Sequence, residues 1–67
     1  MQLMLLAGSR LGAQDAARSL RREGFLARAS IQDEKPLVVV YCLKEDKDEV
    51  VRRVRITDPH AKPVTCP

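Results

Sequence analysis

The sequence predicts one small α+β domain whose elements run strand, helix, strand, strand, helix. Three observations carry that expectation. Apolar runs bounded by turn residues stand at 3–7 and 37–43, a one-sided alternation stands at 25–31, and segments 12–24 and 45–56 repeat at helical spacing. Sixty-seven residues allow a single core. A chain this short buries only roughly 60% of its unfolded surface, so its stability margin is narrow without a staple or a partner.

Residues 3–7, Leu-Met-Leu-Leu-Ala, form a buried strand closed by Gly8-Ser9. In the helix at 12–24, Ala13, Ala16, Ala17, Leu20 and Gly24 share one side, with Gln14, Arg18, Arg21 and Arg22 opposite. Ser9 or Gly12 starts this helix, Asp15 falls in its first turn, and Gly24 is its left-handed stop. Its apolar side is built of small residues, which permits a close approach to a sheet.

Strand 25–31 points Phe25, Ala27, Ala29 and Ile31 to one face, and Leu26, Arg28 and Ser30 to the other. Residues 32–36 make a hairpin-length connection, and Pro36 bounds the next strand. That strand, 37–43, is β-branched and apolar on both faces. The helix at 45–56 carries a Val50, Val51 and Val54 stripe flanked by Lys47 and Ile56. Acidic residues lead it and Arg52, Arg53 and Arg55 end it, with Asp48–Arg52 and Glu49–Arg53 expected as ion pairs. Pro59 ends the helix at Asp58. The domain is expected to span 1–58, and 59–67 is a proline-punctuated tail in which Val64-Thr65-Cys66 is either a short edge strand or unstructured. No internal repeat of long period stands out.

This order is the split βαβ, or ferredoxin-like, arrangement, with two helices on one face of an antiparallel sheet. The first and third strands are then central, which suits their two apolar faces. Two helices cover only one face, so a set including Met4, Leu6, Val39 and Tyr41 is left to face something else. We expect a second copy of the chain to cover it, making the protein a homo-oligomer.

Charge and chemistry narrow the functions. Residues 1–31 hold five basic and two acidic side chains, and residues 32–67 hold seven of each, so the net +3 is assigned to the first half. Arg10, Arg18, Arg21 and Arg22 are the candidate phosphate- or nucleic-acid-binding residues. Arg28 lies on a different surface. Phe25 and Tyr41, the only aromatics, are expected in the core, which disfavours base stacking. The turn Gly8-Ser9-Arg10-Leu11-Gly12 could hold a phosphate at a helix start, but it is neither a P-loop nor a dinucleotide fingerprint, and a tight turn is the simpler reading.

Cys42, His60 and Cys66 match no zinc-module spacing and lack a fourth ligand unless Asp58 supplies it. No metal, cofactor or catalytic residue is therefore expected, and a small-molecule enzyme would need more pocket volume than this domain affords. Two cysteines without a CxxC, and an apolar start too short for a leader or a span, suggest a cytoplasmic protein with reduced thiols and no membrane segment, a Cys42–Cys66 bridge being the alternative. Arginine and alanine richness with few aromatics suggests a GC-rich bacterial or phage genome.

The spacing of Gly8-Ser9, Ala16-Ala17, Leu20, Gly24-Phe25 and Val38-Val39-Val40 resembles the rhythm of the peptidoglycan-binding SPOR repeat over about two-thirds of the chain. The second half departs from it, with no glycine or aromatic after the third strand. The resemblance implies a SPOR-like binding module and assigns no site residues. The sequence thus leads to a small non-enzymatic interaction or regulatory module acting with its own kind or a protein partner. Nucleic-acid binding through the first helix is the main alternative.

Overall fold

The computed structural model describes residues 1–64. They form β1 (Gln2–Leu6), α1 (Arg10–Arg22), β2 (Leu26–Gln32), β3 (Lys35–Tyr41), α2 (Lys47–Thr57) and β4 (Lys62–Val64), with one turn of 3-10 helix, Lys44–Asp46, leading into α2. The four strands make one antiparallel sheet in the order β2-β3-β1-β4. The central positions of β1 and β3 agree with their two-sided apolar sequences. The class is α+β.

One core joins both helices to one face of the sheet. Leu3, Leu5 and Ala7 from β1 and its end, Val38 and Val40 from β3, Ala13, Ala16, Ala17 and Leu20 from α1, Val50 and Val54 from α2, and Ala61 are buried together. Phe25, Ala27 and Ala29 pack against this cluster, as the alternation in β2 requires. Leu5, Val38, Val40, Val50 and Val54 have no exposed surface. Each contributes roughly 1.5–3 kcal/mol of burial.

The element ends differ from the sequence expectations for identifiable reasons. α1 begins at Arg10 because Ser9, in an extended conformation, caps it: the Ser9 hydroxyl accepts from the Gly12 amide at 2.9 Å. Asp15 therefore lies in the second turn, and the first turn has no acid. Gly24 does stop α1, at φ 95°. The connection between β2 and β3 is shorter than expected. Asp33 and Glu34 form a two-residue turn with φ 51° and 65°, the sign pattern of a primed hairpin turn.

Pro36 consequently lies inside β3, opposite Ile31. The closing pair Gln32–Lys35 holds the hydrogen bonds to β2, so Pro36 turns its missing N–H away from that ladder. Its carbonyl accepts from the Ala7 amide on the other side at 3.0 Å. The tail is the other adjustment. Its described part forms the edge strand β4 beside β1, and Ala61 is 1% exposed within the core, so the packed domain runs past residue 58. Thr65 and Cys66 lie outside the described residues, as does the expected alternative of a bridge to Cys42.

The two halves of the chain repeat a device that no sequence periodicity disclosed. Arg21 on α1 donates to the carbonyl of Ala27 at 3.0 Å, and Arg55 on α2 donates to the carbonyl of Ala61 at 3.2 Å. Each arginine stands six residues before its acceptor. Each ties the end of a helix to the start of the edge strand that follows it.

Candidate functional site

The face of the sheet opposite the helices is built in rows by the strand register. Leu26, Tyr41 and Gln2 form the first row, and Arg28, Val39, Met4 and Val64 the second. Ser30, Leu37, Leu6 and Lys62 form the third, and Gln32 and Lys35 close the hairpin end. Seven of these residues are apolar, and no described element packs over them. Met4, Leu6, Val39 and Tyr41, the four expected interface residues, are brought together here, with Met4 directly opposite Val39.

Their exposures are unequal. Val39 is 3% and Leu37 7% exposed, both on the central strand β3 with neighbours paired on either side. Met4 and Leu6 are half-buried. Tyr41 is 47% exposed, which corrects its expected place in the core, and its cross-strand neighbour Leu26 is 72% exposed. A hollow of about 210 Å³ opens at the hairpin end, lined by Met4, Leu6, Leu37 and Val64 with Gln32, Asp33 and Lys35.

The charges at the outward strand positions of this face are all basic, and Asp33 of the hairpin turn borders it at the hollow. Arg28, Lys35 and Lys62 are the charged residues at outward positions of the four strands. Removing these three from the chain's twelve basic residues leaves nine, equal to its acidic residues. The outer sheet face thus carries three basic residues at its strand positions, and α1 carries four arginines against Asp15.

The arginines of α1 are not brought to one point. Arg10 and Arg22 stand at opposite ends of the helix, roughly 18 Å apart at 1.5 Å per residue. Arg18 lies 3.9 Å from Asp15, and Arg21 is held by the Ala27 carbonyl. On α2, Glu49 pairs with both Arg53 (2.8 Å) and Arg52 (2.6 Å), so the expected Asp48–Arg52 pair is replaced by Glu49–Arg52. Arg53 also reaches Glu23 at the end of α1, at 3.3 Å. The Arg52 hydrogen bond, with help from Arg53, holds the Glu49 carboxyl below its ordinary value of 4.5.

The start of α1 holds an anion that the chain supplies itself. Asp58, 7% exposed, accepts the Gly8 amide at 2.7 Å and the His60 amide at 3.2 Å. A Cβ on Gly12 would lie 3.0 Å from the same carboxylate. The carboxylate thus stands beside the turn that leads into α1, where it would repel a phosphate. Asp58 is engaged with backbone amides, and no group of three or more metal-ligating side chains exists among the described residues. Cys42 is half-buried against the core, and Cys66 lies outside the described residues. No helix among the described residues is long and apolar enough to cross a membrane.

Sequence reasoning missed Leu26, Val64, Arg28, Lys35 and Lys62 as members of one surface. The alternation in β2 did place Leu26 and Arg28 on the wet side. The pairing that sets them beside Tyr41 and Val39 has no local signal. The sequence marked Asp58 only as the residue before a proline and as a possible fourth metal ligand, not as the acceptor of the Gly8 amide. Comparison with protein-family models and with curated proteins finds no match to this chain, so the SPOR resemblance rests on its rhythm of residues alone.

Proposed function

We propose that the protein is a small, non-enzymatic interaction module that works through the outer face of its sheet. The observation that supports this reading is a row-built surface of seven apolar side chains, with Leu26, Tyr41 and Val64 exposed, over which no described element is laid. The strand order β2-β3-β1-β4 favours the ferredoxin-like form of the α+β class, in which one sheet face is left for partners. A cytoplasmic setting agrees with the low cysteine content.

Leu26 and Tyr41 are exposed, so Leu26→Asp with Tyr41→Asp changes the face without disturbing the core. Affinity capture from the native host should retain partners on the wild type that this double variant loses. Identical captures by the two proteins would overturn the reading. Self-association, the form expected from sequence, is tested by light scattering at micromolar concentration. An oligomer through this face becomes a monomer in the double variant, and a monomeric wild type removes the homo-oligomer.

A second reading uses Arg10, Arg18 and Arg22, which are exposed on α1. It expects salt-dependent binding of duplex DNA or RNA that Arg18→Glu with Arg22→Glu abolishes. No binding at low salt excludes it.

A further inference from the structure

We propose that the outer sheet face docks an acidic, amphipathic protein segment, with apolar side chains seated over Met4, Leu6 and Val64 and carboxylates meeting Arg28, Lys35 and Lys62. This rests on the reading of that face as the interaction surface and adds the chemistry of the partner. Charge sign is the first argument. Every charged residue at an outward strand position is basic, while the rest of the chain is balanced.

Placement is the second. Arg28 flanks Val39 on the β2 side, Lys62 flanks Leu6 on the β4 side, and Lys35 stands at the hairpin end. The cations therefore rim the apolar strip on three sides, and the remaining side carries Leu26, Tyr41 and Gln2. This is the apolar-centre, polar-rim plan of a protein interface. Size is the third. The hollow of about 210 Å³ is below the roughly 300–1,000 Å³ of small-molecule sites and suits one large apolar anchor. Asp33 of the hairpin turn also lines it, beside Lys35.

The same observations weigh against other occupants. A twofold pairing of two copies sets the same patch against itself and brings three cations to three cations. Nucleic acid would want stacking platforms, and Tyr41 is the sole aromatic on the face.

The test titrates the isotope-labelled full chain with a synthetic Leu/Glu amphipathic peptide, its Leu/Lys counterpart, and phosphatidylglycerol vesicles, followed by NMR. The Leu/Glu peptide should shift amides of β1, β3 and β4 and spare the outward face of α1, and the Leu/Lys peptide should bind far more weakly. The exposed pair Arg28→Glu and Lys62→Glu should weaken Leu/Glu binding by about tenfold or more, and added salt should weaken it in the wild type. Circular dichroism checks that this variant is folded.

Equal binding of both peptides, no peptide binding, shifts confined to the helices, or binding of vesicles alone would each overturn the proposal. If the peptides fail while Leu26→Asp with Tyr41→Asp still abolishes partner capture, the partner chemistry is wrong and the interaction face stands. If both experiments fail, both readings fall.

Discussion

The first half of the chain, β1-α1-β2, and the second, β3-α2-β4, arrange the same parts in the same way and finish them differently. Arg55 and Ala61 lie thirty-four places after Arg21 and Ala27, and the same shift lays Val50 on Ala16 and Val54 on Leu20. The contrast falls at the helix ends. α1 starts on a Ser9 hydroxyl cap, whereas α2 is entered through a 3-10 turn with no side-chain cap and relies on Asp48 and Glu49 in its first turn. α1 ends on left-handed Gly24. Its counterpart thirty-four places on is Asp58, extended at φ −133°, whose carboxylate crosses back to the start of α1. One half closes itself; the other uses its closing residue to hold the first.

The largest test of that asymmetry is Asp58→Ala. It leaves the Gly8 amide without a partner and empties the space beside Gly12. It should cost about 3 kcal/mol, the upper range for a hydrogen bond to a charged group. For a domain of this size that is a loss of more than about 12 °C in melting temperature, measured by calorimetry. Gly24→Ala, at the equivalent place, meets no atom within 4 Å and bears only the left-handed backbone penalty of about 1–2 kcal/mol. Equal losses at the two positions would remove the contrast.

Exchanging core residues between halves comes next. Ala16→Val overpacks the close-fitting α1 and should cost about 2 kcal/mol. Val50→Ala opens a void under α2 and should cost about 2 kcal/mol by lost burial and cavity together. If Ala16→Val proves neutral in urea unfolding, the small-residue face of α1 is not required for its approach to the sheet.

The hairpin joining the halves should yield a gain. Glu34 holds φ 65° without being glycine, so Glu34→Gly relieves a left-handed strain and should add up to about 1 kcal/mol, or about 4–8 °C. A lowered melting temperature would show that the Glu34 side chain contributes to the joint.

Glu49 gives the smallest effect, confined to α2 and its contact with α1. Its carboxyl is held below 4.5 by Arg52 and Arg53, so its contribution is present above that value and is lost as pH falls through the folded-state value. Thermal melts of wild type and Glu49→Gln should therefore differ slightly at neutral pH and converge in acid. A difference that grows in acid would reverse the assignment.

Local pattern made the elements legible. The alternation in β2, the alanine face of α1, the valine stripe of α2 and the stop at Gly24 each follow from residues within a turn or two of one another. Boundaries were less legible where a partner far along the chain sets them. Gly12 is admitted inside α1 beside Asp58, and Pro36 is admitted inside β3 because its ring nitrogen, which has no hydrogen to donate, faces away from β2. Of the candidate site, Met4, Leu6, Val39 and Tyr41 were readable from surplus apolarity, whereas their cationic rim was not.

By itself the sequence determined the α+β class, the two apolar faces of the central strands and the sign of the net charge, because periodicity and composition are properties of the chain. Only the tertiary structure decided that Arg28, Lys35 and Lys62 surround one apolar face, that Val39 is covered while Leu26 is not, and that Asp58 closes the start of α1. Those outcomes depend on strand register and on contacts between residues up to sixty apart, and no local preference encodes them.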